Sequence, residues 1–81
     1  MVSQVHPNRI RALGEVQNYM PEQLSAISAE FSGLTLQEVA DRLKIPTHAI
    51  WFFSVEGKRV PPEYRLSPGE SVTIHGPVDG G

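Results

Sequence analysis

Leu34-Thr35-Leu36-Gln37-Glu38-Val39-Ala40-Asp41-Arg42-Leu43-Lys44-Ile45-Pro46 is the stretch from which the fold is read. Thr35 and Glu38 fit a capping box, in which the threonine hydroxyl and the glutamate carboxylate each accept a hydrogen bond from a free backbone N–H. Leu34 and Val39 occupy the flanking staple positions. Leu36, Val39, Ala40 and Leu43 fall at i, i+3, i+4 and i+7, one apolar face of a helix. Arg42 and Lys44 stand in the last turn, where cations suit the macrodipole. Pro46 stops the element by pushing Ile45 toward extended geometry. The spacing predicts a helix of about three turns.

On the C-terminal side, Ala49 to Glu56 is rich in aromatic and β-branched residues and reads as a strand. Alternation places Trp51, Phe53 and Val55 on one face and Ile50, Phe52 and Ser54 on the other. The Trp51 face is expected to meet the helix, whose leucines need a large apolar partner. Glu56-Gly57-Lys58 is a tight turn, and Arg59-Val60 a short strand cut off by Pro61-Pro62. Ser67-Pro68-Gly69-Glu70 is a turn with proline at its second position. Ser71 to His75 is the last strand, with Val72 and Ile74 inward.

On the N-terminal side, Gln23 to Phe31 reads as a strand with Ile27, Ala29 and Phe31 inward, although Leu24, Ile27 and Phe31 also fit a helical spacing. Gly14 to Pro21 is a short helical turn or loop. Arg9 to Leu13 alternates as a first strand, and residues 1–8 form a loose leader. The order is strand, strand, helix, strand, short strand, strand. One helix across one face of a small mixed sheet is an α+β arrangement, and the β-grasp topology of ubiquitin is the simplest with this order. The expected division is a leader over 1–8, a β-grasp domain over 9–76 and an extended tail over 77–81.

The chain has 81 residues, no cysteine, 40% apolar and 20% charged residues and a formal charge of -2. A chain of this length buries only roughly 60–65% of its unfolded surface, and no disulfide or thiolate metal site supplements that core. The charge argues against nucleic acid as a partner, since that surface should be basic. The longest apolar run, Ala49 to Phe53, is far short of a membrane span. The N-terminus lacks the basic start and apolar stretch of a signal peptide, so the expected compartment is the cytoplasm.

Catalytic patterns are missing too. There is no G-x-S-x-G, no G-x-G-x-x-G and no complete P-loop; Gly57-Lys58 is a hairpin turn. His6, His48 and His75 show no zinc-type spacing. No catalytic residue, metal site or bound cofactor is expected, and the chain does not read as an enzyme. What rises above background is the Gly80-Gly81 ending, which chance produces in roughly half a percent of sequences. A frayed end is its bland explanation.

Joined to what precedes it, that ending resembles the MoaD/ThiS family of ubiquitin-like sulfur carriers, and most closely the MoaD branch, the small subunit of molybdopterin synthase. The resemblance lies in Thr35 to Leu43, in Val55-Glu56-Gly57-Lys58-Arg59-Val60-Pro61, in Leu66 to Ile74 and in Pro77-Val78-Asp79-Gly80-Gly81. It implies that an ATP-dependent adenylyltransferase of the ubiquitin-activating type adenylates the carboxylate of Gly81. Sulfur then displaces AMP, and the resulting thiocarboxylate passes to a sulfur-accepting synthase subunit. Which pathway is served (molybdenum or tungsten cofactor, thiamin, transfer RNA) stays open, with molybdopterin favoured by the branch. A protein modifier joined through Gly81 to lysines, or an interaction domain that is never activated, are the alternatives.

Gly80 and Gly81 lack a Cβ, so such a tail can thread a narrow channel. Pro77 restricts the freedom of the arm, and Val78 and Asp79 are expected to touch the partner. The partner surface is expected on the sheet face away from the helix, built from Ile50, Phe52, Thr73 and His75. At His75-Gly76 the MoaD branch commonly has an aromatic residue followed by proline. The histidine would make docking sensitive to pH.

Overall fold

The computed structural model describes residues 6–78, so residues 1–5 of the expected leader lie outside it. Five strands, β1 (Asn8–Leu13), β2 (Ala26–Ala29), β3 (Phe52–Val55), β4 (Lys58–Val60) and β5 (Ser71–His75), form one sheet in the order β2-β1-β5-β3-β4. The central pair β1 and β5 is parallel, and the other neighbours are antiparallel. A single helix, α1 (Leu36–Arg42), packs on one face. Short 3-10 segments at Gly14–Tyr19, Pro21–Gln23 and Thr47–Ala49 complete the chain. This is the α+β, ubiquitin-like β-grasp expected from the element order.

The period-2 pattern decides what each strand buries. In β1 Ile10 and Ala12 point inward while Arg9, Arg11 and Leu13 point out. Val72 and Ile74 of β5 are fully buried, as are Leu36, Val39 and Ala40 of α1, with Phe53 and Val55 of β3 beside them. Ile27 of β2 faces Ile10 across the ladder and packs on this core with Phe31. Strand β2 is shorter than the sequence suggests, because Glu22 and Gln23 take left-handed backbone angles and leave Leu24 in solvent.

The capping box forms as expected: Glu38 N–H donates to Thr35 Oγ1 (3.1 Å) and Thr35 N–H to Glu38 Oε1 (2.8 Å). The bond from the Thr35 N–H to the charged carboxylate is the main cause that holds Glu38 below the usual carboxylate pKa. The helix itself is shorter than predicted, seven residues instead of about three turns. Pro46 does not stop it. Lys44 does, by taking φ +61°, so that Ile45 N–H reaches the Ala40 carbonyl (2.9 Å) and Lys44 N–H that of Asp41 (3.0 Å). This is a Schellman closure with lysine at the place glycine usually holds.

A second expectation is corrected as well: Trp51, expected to meet the helix, is 62% exposed. Ala49 closes a 3-10 turn instead of opening the strand, and β3 starts only at Phe52. Glu56 (φ +50°) and Gly57 (φ +84°) then make the two-residue turn into β4, the conformation that matches the strand twist.

Asn8, placed in the leader by the sequence reading, is the fully buried first residue of β1. Its Nδ2 donates to the carbonyls of Ser67 and Glu70 (both 2.9 Å), and its Oδ1 accepts from Phe31 N–H (3.0 Å). One side chain thus ties β1 to the end of β2 and to the Ser67–Glu70 turn. Glu70 fixes that turn from the other side, accepting from Ser67 N–H (2.8 Å) and from the Tyr64 hydroxyl (2.7 Å).

Candidate functional site

Of the residues expected on the face away from the helix, Phe52, Thr73 and His75 are brought together. Phe52 stands opposite His75 in the β3–β5 ladder, and Thr73 is opposite Ser54. The Phe52 and His75 rings stack at 4.2 Å between centroids, 10° from parallel. The Arg59 guanidinium, from β4, lies 4.6 Å from the Phe52 centroid. Because β4 and β5 flank β3, Phe52 is bracketed by the arginine on one side and the histidine on the other. His75 Nε2 is 2.9 Å from Ser54 Oγ. Arg9 and Arg11 extend outward from the same face, so a chain of net negative charge presents a cationic sheet surface.

Ile50 does not join them. It precedes β3 and packs against the core, so the adjoining Ile–Phe pair expected from alternation is not formed. The cause is the 3-10 turn at Thr47–Ala49, which sequence periodicity did not register.

Burial lowers the His75 pKa below its ordinary value of 6.5. A histidine depressed in the folded state favours folding in its neutral form. The stability it contributes is present above the unfolded pKa and is lost as the pH falls below it. Urea midpoints measured from about pH 7.5 down to about pH 5 should therefore drop less for His75→Phe than for the wild type. Equal slopes for the two proteins would mean that His75 contributes no pH dependence.

The tail leaves the sheet at the same end. Gly76 N–H donates to the Leu13 carbonyl (3.1 Å), and the Pro77 carbonyl accepts from Glu15 N–H (2.8 Å). Trp51 N–H donates to the His75 carbonyl (2.7 Å) on the other side. Gly14, at φ +71°, leaves the room in which the Gly76 and Pro77 carbonyls lie; a Cβ there would strike both. A Cβ on Gly76 would come within 2.5 Å of the Ala49 carbonyl and 2.6 Å of a Val16 methyl. The close crossing of three backbone segments at Gly76 thus leaves no room for a side chain there. Val78, 68% exposed, is the last described residue. Asp79, Gly80 and Gly81 lie outside the described residues.

Sequence reading missed one feature. Where β3 and β4 diverge beyond the Phe53–Val60 pair, a groove of about 500 Å³ opens, lined by Ile50, Trp51, Val60, Pro61, Pro62 and Arg59 among others. The exposed tryptophan and the Pro61-Pro62 pair were its signal, but alternation had assigned Trp51 to the core.

Among the described residues no three His, Asp or Glu side chains come together to hold a metal. No buried side-chain polar atom among them lacks a hydrogen-bond partner. No helix among them is long and apolar enough to cross a membrane.

No protein-family model matches the chain, and no curated protein matches it either. Among solved structures, the solution structure of Urm1 from Trypanosoma brucei superposes with a TM-score of 0.67, at 11% identity over 99% of this chain and 100% of that one. At that identity the likeness is one of fold.

Proposed function

We propose that the chain is a sulfur carrier of the MoaD/ThiS type, acting through the carboxylate of Gly81 and supplying no catalytic residue of its own. The observation that supports this most is the way β5 runs through a root fixed on both sides directly into Pro77-Val78-Asp79-Gly80-Gly81. A body that grips Gly76 and Pro77 yet leaves Val78 in solvent is suited to present a terminus to another protein.

The chemistry follows from the weakness of a carboxylate as an electrophile. A Gly81 oxygen attacks the α-phosphorus of ATP in an adenylyltransferase of the ubiquitin-activating type, and pyrophosphate leaves. A sulfur nucleophile at the hydrosulfide level then adds to the acyl carbon, and AMP departs with that oxygen. The product is a C-terminal thiocarboxylate for a sulfur-accepting synthase subunit, of the molybdopterin class on the strength of the sequence resemblance. The cationic face around Phe52, His75 and Arg59 is the docking surface for these enzymes, with Val78 and Asp79 engaged along the arm.

The lack of cysteine makes the test direct. The untagged protein, purified from its own cells, is treated with a thiol-alkylating reagent and weighed intact. The expected result is alkylation together with an oxygen-to-sulfur mass increase located at Gly81. A plain carboxylate, combined with failure of the host's activating enzyme to adenylate the chain, would overturn the reading. Lysine-linked conjugates without a thiocarboxylate would make the chain a protein modifier.

A further inference from the structure

The groove between the diverging ends of β3 and β4 shares Phe52 and Arg59 with the outer face and extends beyond it to Trp51, Pro61 and Pro62, and the carrier chemistry does not require it. We infer that it receives an apolar side chain of the adenylating enzyme, with a neighbouring carboxylate of that enzyme held by Arg59; this rests on the carrier reading above.

Reach is the first argument. Three residues separate Val78 from the end of the arm, and an extended chain covers at most about 3.3–3.6 Å per residue. An enzyme that holds the Gly81 carboxylate must therefore bring its surface to within about 10 Å of Val78. What it meets at the root of the arm includes Trp51. This residue directly precedes the Phe52–His75 pair and donates its N–H to the His75 carbonyl. Gly76 in turn lies against the Ala49 carbonyl, two residues before Trp51. The groove and the arm thus share one rigid junction.

Composition is the second argument. Ile50, Trp51, Val60, Pro61 and Pro62 give apolar walls, and Arg59 is the one charged residue among those that line the groove. The Arg59 guanidinium, which lies over the Phe52 ring, would repel a cationic occupant and pair with an anionic one. An aliphatic or aromatic residue beside an Asp or Glu satisfies both. Paired prolines hold their part of the wall at fixed φ, so little conformational freedom is lost on docking. Trp51 and Arg59, both exposed and both lining the groove, are also of the residue types that most often dominate binding energy.

Trp51 is the only tryptophan of the chain, so the full-length protein made with 5-fluorotryptophan carries a single fluorine label in the groove. It is titrated with the host's adenylyltransferase, and ATP–pyrophosphate exchange is measured in parallel for wild type, Trp51→Glu and Arg59→Glu. The expected result is a shifted or broadened fluorine resonance, which persists in a chain lacking Gly81. Each substitution should raise the KM for the carrier at least about tenfold, with the loss carried by KM. Exchange by the wild type with unchanged KM in both variants would overturn the groove assignment and leave the carrier reading standing. No exchange and no resonance shift with the wild type would overturn both.

Discussion

A chain lacking Gly81 is expected to lose ATP–pyrophosphate exchange with its activating enzyme by at least about 10²-fold while unfolding at the wild-type temperature. Removing one residue draws the carboxylate back by about 3.3–3.6 Å. A misplacement of only about 1 Å can cost about 10²-fold in rate when geometry carries the catalysis. The arm cannot make up the difference by sliding, because its root is clamped. The Pro77 carbonyl is held by Glu15 N–H and Gly76 N–H by the Leu13 carbonyl, while Gly14 and Gly76 leave no slack where the segments cross. The deletion removes none of the buried residues or hydrogen bonds described among residues 6–78, so calorimetry should not distinguish the two proteins. Exchange at the wild-type rate by the shortened chain would exclude Gly81 as the reacting group.

The second large effect is on the fold. Asn8→Leu keeps a side chain of similar size but removes three hydrogen bonds at once; the Ser67 carbonyl keeps the Glu70 N–H, while the Phe31 N–H and the Glu70 carbonyl lose the partner that Asn8 gave them. Each group so orphaned costs about 1–3 kcal/mol, which puts the loss at about 2 kcal/mol or more. An 81-residue domain has only about 4–12 kcal/mol to lose at the usual stability per residue. The melting temperature should fall by about 8–16 °C, at about 4–8 °C per kcal/mol. Asn8→Asp separates polarity from size: it keeps the acceptor for Phe31 and removes both donors, so it should also destabilise strongly at neutral pH. A melting temperature within a few degrees of wild type (about 5 °C, or about 1 kcal/mol) for both variants would show that water replaces the lost bonds.

The elements legible in the sequence are those specified locally. Thr35 and Glu38 announced the helix start because a capping box is complete within four residues. Ser71 to His75 announced β5 because both of its faces follow strict alternation. The helix end was misplaced because a lysine in left-handed geometry carries no sequence mark comparable to glycine. Trp51 and Ile50 were misplaced because alternation was carried back through a 3-10 turn whose residues, Thr47-His48-Ala49, have no distinctive pattern. Asn8 was passed over because its three partners lie 23, 59 and 62 positions away. At the candidate site, alternation placed Phe52 and His75 on one face, but that they stand opposite one another came from the β3–β5 register. Arg59 over Phe52 needed the β3–β4 register, which only the folded chain supplies.

The place of β5 in the sheet order also dictates when the molecule can come into being. It is the last strand to be synthesised, yet it sits in the middle, joining β1 to β3. A nascent chain that has not yet emerged past Ser71 holds only two separate strand pairs, β2 with β1 and β3 with β4. Isolated two-stranded pairs are marginal in water at best. Folding on the ribosome must therefore wait for residues 71–75, and it then closes in one step through contacts of high sequence separation, the slow kind. The strand that completes the fold is the one from which the arm grows, so a truncated translation product exposes neither a folded body nor a usable terminus.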